Sequence, residues 1–212
     1  MKIKKLGHCC FVAEPKEGVR IMTDPGAFST LQMVEINIDV VLITHEHGDH
    51  LHIESLKKVL ENNPKALVIT NTAVGEILGG ENIPYVKVEE GEKYEIKGVV
   101  ISGFGNVHAE IYEDFGKVQN TGYMIDDLCY GGDAFNYPDS DVDILALPVA
   151  GPWMKMKDAI EFAKNIRPRI CFPVHDAIMQ DFAGFVWKIP ETILKEDNIL
   201  FKRLEIGKEE EV

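Results

Sequence analysis

The sequence predicts an α+β protein folded as one domain over residues 1–212, and three observations carry that expectation. The length suits one well-filled core, whereas two domains sharing it would each be small. Short β-rich runs and amphipathic helical stretches alternate in two halves of similar layout. In each half one run, residues 40–44 and 144–147, is so continuously apolar that it reads as a strand buried on both faces.

The elements follow in order along the chain. Residues 10–13, 20–23 and 40–44 read as strands. Ile53, Leu56, Val59 and Leu60 then recur at helical spacing with lysines between them, and Asn62-Asn63-Pro64 is a stop. A strand over 66–70 and a short helix over 73–78 come next, followed by strands over 99–104, 121–125 and 128–131. The strand at 144–147 precedes a helix over 156–165, a strand over 170–173 and a helical stretch over 178–187. The acidic end, Glu209 to Glu211, is expected to be solvated and frayed.

Composition narrows the functions open to the chain. With 45% hydrophobic and 27% charged residues it is an ordinary globular sequence. A formal charge of −13 repels polyanions and no Lys/Arg stripe offsets it, so nucleic acid is not an expected partner. The basic start Met-Lys-Ile-Lys-Lys lacks the apolar stretch of a signal peptide, and no run is long enough to span a bilayer. A cytoplasmic protein without a membrane partner is expected, and a homo-oligomer is compatible with it. Cys9 and Cys10 are adjacent, cannot easily bridge each other and lack CxxC spacing, which favours buried apolar roles over redox or metal chemistry.

The chemistry is concentrated in His45-Glu46-His47-Gly48-Asp49-His50, between the buried strand and the first helix. Residue frequencies give a chance H-x-H-x-D-H in on the order of one such chain in 2,000. The three histidines and the aspartate among these six residues are costly to bury unless a cation joins them. His45 and His47, two apart at a strand end, can point the same way toward one metal. Asp49 and His50, displaced by the turn that Gly48 permits, can face a second. Imidazole with carboxylate suits zinc first, with manganese or iron as alternatives.

Here the chain resembles the metallo-β-lactamase superfamily, whose H-x-H-x-D-H signature is followed by a His, an Asp and a His. Thr23-Asp24-Pro25 is similar to its early Asp motif, His108 to its third ligand, Asp133 in Gly131-Gly132-Asp133 to its bridging carboxylate, and His175 in Pro173-Val174-His175 to its last histidine. Leu6-Gly7-His8, Asn120-Thr121-Gly122-Tyr123 and the Pro173-Val174-His175 ending are similar, more narrowly, to the L-ascorbate-6-phosphate lactonase branch of small cytosolic hydrolases. The resemblance implies a four-layer αβ/βα sandwich and two divalent ions. His45, His47 and His108 would hold one, Asp49, His50 and His175 the other, with Asp133 bridging. Asp24 would orient a histidine or the backbone of the motif. His8 could donate a proton or support the ligands, or could simply be satisfied by backbone; His52 suits a polar helix start.

The implied reaction is hydrolysis of an ester, lactone or phosphoester by a metal-bound hydroxide, with Asp49 and Asp133 at the reacting centre. Two divalent ions, two carboxylates and hydroxide leave a centre of net charge +1, so a small anionic substrate is expected. The flavodiiron-type reductases carry Glu where His47 stands, and antibiotic-hydrolysing members commonly lack the bridging Asp, so both activities are disfavoured. An RNase Z-like phosphodiesterase and a mononuclear-iron thiol oxygenase of the same fold stay open as alternatives. Specificity is expected in residues 28–36, 110–119 and 151–156, where Trp153, Met154 and Met156 could form an apolar wall and Lys155 or Lys157 could reach an anion.

Overall fold

Residues 1–180, 182 and 184–212 are described by a computed structural model. The chain starts with an antiparallel meander of β1 (Lys2–Gly7), β2 (Cys10–Lys16) and β3 (Val19–Thr23). Three strands parallel to β3 extend it: β4 (Val40–Leu42), β5 (Leu67–Thr70) and β6 (Val86–Lys87). Parallel neighbours need crossovers, and α1 (Ile53–Asn62) and α2 (Thr72–Gly80) lie in two of them.

The second sheet repeats the plan. The antiparallel strands β7 (Lys93–Ile96), β8 (Val99–Phe104), β9 (Gly122–Ile125) and β10 (Leu128–Tyr130) lead into the parallel strands β11 (Ile144–Pro148), β12 (Ile170–Val174) and β13 (Leu200–Phe201). The helices α3 (Met156–Ile166) and α4 (Gly184–Glu196) lie between the last three. The chain then returns to the first sheet as β14 (Glu209–Glu211), giving the orders β14-β1-β2-β3-β4-β5-β6 and β13-β12-β11-β10-β9-β8-β7.

Burial sorts the elements into four layers. Phe11, Ile21, Leu42, Tyr123, Tyr130 and Phe172 fill the interior between the sheets. Leu56 and Val59 of α1 and Val74 and Leu78 of α2 pack on the outer face of the first sheet. Ile160 and Phe162 of α3 with Trp187 and Leu194 of α4 pack on the second. Each fully buried Leu, Ile or Phe among them contributes about 1.5–3 kcal/mol, so the three clusters dominate stability. The result is the expected αβ/βα sandwich. No helix among the described residues is long and apolar enough to cross a membrane.

The structure differs from the sequence reading in several places, and β1 and β13 have no counterpart in it. The acidic end is not frayed: β14 pairs with β1, Lys2 opposite Glu211 and Lys4 opposite Glu209, so ladder bonds and opposed charges hold it. The helix expected over 178–187 is displaced to Gly184–Glu196, and Asp181 and Ala183 of the expected stretch lie outside the described residues. Pro190 lies within α4, where burial of Trp187, Pro190 and Leu194 outweighs its lost hydrogen bond. The strand expected to end at Thr44 leaves the ladder after Leu42, although Ile43 N still donates to Ile69 O at 3.1 Å.

Candidate metal centre

The chemistry-bearing residues meet where strands end. Asp24 follows β3, residues 45–50 follow β4, His108 follows β8, Asp133 follows β10 and His175 follows β12 directly, while His8 occupies the turn between β1 and β2. All nine candidates, His8, Asp24, His45, His47, Asp49, His50, His108, Asp133 and His175, fall in one cluster. His52 does not: it is exposed at the start of α1, with Nδ1 2.9 Å from Ser55 Oγ, as a polar helix start should be.

Backbone shape brings the loops this close. His50 N and Leu51 N both bond to His47 O, at 2.9 and 2.8 Å, closing the turn of the motif. Gly26 lies against that turn so tightly that a Cβ there would fall 1.7 Å from Asp49 O. His8, Asp24 and His175 adopt φ of 45°, 32° and 57°, a region that non-glycine residues populate only when their surroundings impose it.

Hydrogen bonds then fix which edge of each ring faces inward. Asp24, fully buried, accepts from Thr44 N at 2.8 Å, Thr44 Oγ1 at 2.7 Å and Tyr130 Oη, and lies 2.7 Å from His50 Nδ1. That edge of His50 therefore carries the proton, leaving Nε2 as a lone pair. Thr44 spends its hydroxyl proton on Asp24, so at 3.0 Å it accepts from His45 Nδ1, which frees His45 Nε2 in the same way. His108 Nδ1 donates to Ala109 O at 2.5 Å and frees its Nε2.

The freed atoms converge. His45 Nε2 and His47 Nδ1 are 3.1 Å apart, and the donor atoms of His45, His47 and His108 all lie within 4.8 Å of one another. Asp133 Oδ2 sits 3.4 Å from His108 Nε2 and 3.0 Å from His175 Nε2, while Oδ1 is 3.1 Å from His50 Nε2. Asp49 Oδ2 is 3.5 Å from His175 Nε2, 3.8 Å from His50 Nε2 and 3.1 Å from His8 Nε2. Ala177 N donates to His8 Nδ1 at 3.2 Å, so neutral His8 carries its proton on Nε2 and aims it at Asp49.

This donor set fits metal ions. His50 Nε2, His108 Nε2 and Asp133 Oδ1 are buried without a hydrogen-bond partner although they lie against one another. Buried polar atoms are normally paired, and ligands about 2.0–2.2 Å from one tetrahedral ion are separated by about 3.3 Å, the spacing seen here. Electrostatics agrees. Burial disfavours charge on every ring, yet Asp133, Cys9 and Asp24 hold His50 well above the ordinary histidine range, and Cys9, Asp133 and Asp49 hold His175 up to about 11. Burial would raise Asp133, but His50, His108 and His175 hold its carboxyl well below the usual range; His175 and His8 do the same for Asp49. Burial and the neighbouring charge on His50 push His45 well below the ordinary value. The raised histidines and the lowered carboxylates thus offset one another's charge, as cations would offset the carboxylates.

Several contributors have no signal in the motif. Lys5 is buried in β1, where its Nζ donates to Pro173 O at 2.7 Å and pairs with Asp176, pinning both sides of His175. Burial lowers its pKa against the pull of Asp176. Thr44 could have been noticed, as a polar residue closing an apolar run; Tyr130 could not. Trp153 is not an open wall: it is buried, and its Nε1 donates to Asp133 Oδ2 at 2.8 Å. The segments expected to border the site do so, with Phe28 edge-on to His8 at 5.3 Å and a Cβ on Gly116 falling 3.9 Å from His47 Cε1. A surface cavity of about 710 Å³ beside Lys164, Arg167 and Asp197 opens at the amino ends of β11–β13, away from these groups.

The profile of the Beta-lactamase superfamily domain matches residues 2–175. The chain is 31% identical over 185 residues to protein Rv0786c of Mycobacterium tuberculosis, covering 84% of this chain and 85% of that protein. It is 28% identical over 189 residues to a UPF0173 metal-dependent hydrolase of Thermoplasma acidophilum, covering 82% and 83%. Its fold is similar to that of Igni18, a metallo hydrolase of Ignicoccus hospitalis, with a TM-score of 0.76 and 19% identity over 100% of this chain and 98% of the other. With 30% identity over 184 residues to a UPF0173 protein of Pyrococcus abyssi, covering 82% of this chain and 83% of that protein, the chain belongs to the UPF0173 family of the metallo-β-lactamase superfamily and is a metal-dependent hydrolase.

Proposed function

We propose that this hydrolase uses two divalent ions, zinc foremost, to cleave an ester, lactone or phosphoester bond in a small anionic metabolite. His45, His47 and His108 would hold one ion; Asp49, His50 and His175 would hold the other, and Asp133 would bridge them. The observation that carries the reading is the set of inward lone pairs on His45, His50 and His108, each fixed by a hydrogen bond on the opposite ring edge, around an Asp133 carboxylate that reaches both groups. When bound, such a pair of ions lowers the pKa of bound water to about 7 and polarises the scissile oxygen.

The residues of the chain supply position and charge. Asp24 and Thr44 hold the His50 and His45 rings in their ligating tautomers, and His8 steadies Asp49. Two ions against the Asp49 and Asp133 carboxylates make the centre electropositive, which favours an anionic group on the substrate. The net charge of −13, with exposed Glu113 and Asp114 in the loop that overhangs His47, favours a small anion over RNA. A lactone is included because Leu6-Gly7-His8 and Pro173-Val174-His175 are similar to the ascorbate-phosphate lactonase branch.

The test is a screen of lactones, phosphodiesters and acyl thioesters with metal-reconstituted protein, followed by kcat/KM against pH and salt for the best anionic substrate. A single rise near pH ~7 and a modest salt effect are expected, since screening acts over about 10 Å in 0.1 M salt. A flat profile from about pH 5 to 9 would refute the reading. Cleavage of labelled RNA with steep salt inhibition would replace it with the phosphodiesterase alternative.

A further inference from the structure

One buried polar group beside the centre is accounted for by neither the ligands nor their histidine partners: the indole of Trp153. Its Nε1 lies 2.8 Å from Asp133 Oδ2, within hydrogen-bond reach, and the residue is only 8% exposed. The ring stands edge-on to His108 at 6.0 Å and to His175 at 5.9 Å, and Phe135 backs it at 5.2 Å. Gly151 makes the placement possible, because a Cβ there would fall 2.8 Å from Nε1.

We infer that Trp153 is a positioning residue of the metal centre, whose N–H fixes the plane of the Asp133 carboxylate. The inference rests on the metal-centre reading. Oδ2 is the oxygen that lies between His108 and His175, so a donor on it acts where the two ligand groups meet. With Oδ2 held, rotation about the Asp133 side chain is blocked and Oδ1 is left facing His50. An indole N–H donates only; it neither ligates nor titrates in the working range, so it orients the carboxylate without competing for the metal. It also satisfies a buried carboxylate oxygen whose other close neighbours are the His108 and His175 rings.

The experiment strips the full chain with a chelator and titrates it with zinc against a chromophoric competitor, alongside Trp153→Phe and Phe135→Leu. Trp153→Phe keeps an aromatic ring and loses the N–H; Phe135→Leu disturbs the packing around the indole and keeps it. Expected are a loss of about tenfold to hundredfold in zinc affinity for Trp153→Phe and little change for Phe135→Leu. The inference is overturned if Trp153→Phe binds zinc within about twofold of the parent, or if Phe135→Leu loses as much, since packing would then be the cause. A second reading comes from Trp187→Phe, in which Trp153 is the remaining indole: zinc uptake should change its emission, and unchanged emission on uptake overturns the inference even if Trp153→Phe does not fold. Failure of the parent chain itself to take up zinc is a separate result, against the metal centre.

Discussion

Gly26→Ala separates two opposite expectations at one atom. Gly26 is not held in the left-handed region, so an alanine could adopt its backbone without strain and, by restricting the unfolded chain, stabilise the protein by about 0.4–1 kcal/mol. Packing says otherwise. The new Cβ would fall 1.7 Å from Asp49 O, 2.0 Å from Asp49 C and 2.6 Å from His50 N. These are backbone atoms and cannot swing away, so one loop must move by about 1.5 Å to restore an ordinary contact, a displacement at the upper end of overpacking costs of about 1–3 kcal/mol. The same shift strains the Ala27 N to Gly48 O bond of 2.8 Å that ties the loops together. With about 2–4 °C per kcal/mol at this size, the melting temperature should fall by about 6–12 °C. Because Asp49 and His50 move with their backbone, metal binding should weaken too; a misplacement of about 1 Å typically costs about 100-fold in activity. Thermal denaturation and elemental analysis check both halves. A variant that melts at or above the parent and keeps its metal would refute the steric argument.

Two further expectations follow from the same geometry. Asp24→Asn replaces an acceptor that serves Thr44, Tyr130 and His50 with a group that must present a donor to one of them, so a loss of about 3–5 kcal/mol and a weaker grip on metal through His50 are expected; full metal content by elemental analysis in a folded variant would contradict the role given to Asp24. In the metal-free protein, His175 has a raised pKa, so its stabilising charge is fully present below about 6.5 and is lost as pH climbs through about 11. Asp49 and Asp133 have depressed pKa values, so their contribution is present above about 4 and is lost in acid. Chelated protein should therefore melt lower at about pH 9 than at pH 6, whereas metal-loaded protein should not, and metal uptake near neutrality should release protons measurable with a dye. Parallel pH dependence of the two forms would count against ions replacing those protons.

Much of this was legible in one dimension because the information is local. Val40 to Leu42 is apolar at every position, the lysine-spaced apolar residues of α1 give a clear helical period, and six consecutive residues from His45 carry four donors. Asp24, His108, Asp133 and His175 could be named because their order along the chain resembles a known pattern; their convergence is a property of four strand ends in two sheets. The errors share a cause. Glu209 to Glu211 has no apolar residue to mark it as a strand, and pairing with β1, about 200 residues away, makes it one. The last helix runs over Gly184–Glu196 and not over 178–187 because burial of Trp187, Pro190 and Leu194 sets its bounds.

The sequence by itself thus determined most of the strands and helices and the donor atoms of the motif at His45 to His50, since periodicity and residue chemistry do not depend on distant partners, and the layers and remaining donors followed from the resemblance. Only the tertiary structure decided what those atoms do. Ring edges are chosen by hydrogen bonds from residues far away in sequence: Asp24 sets His50, Tyr130 approaches Asp24 from 106 residues on, and Trp153 reaches back to Asp133. A histidine read alone has two equivalent nitrogens, and a buried neighbour that removes one of them is what turns it into a directed ligand.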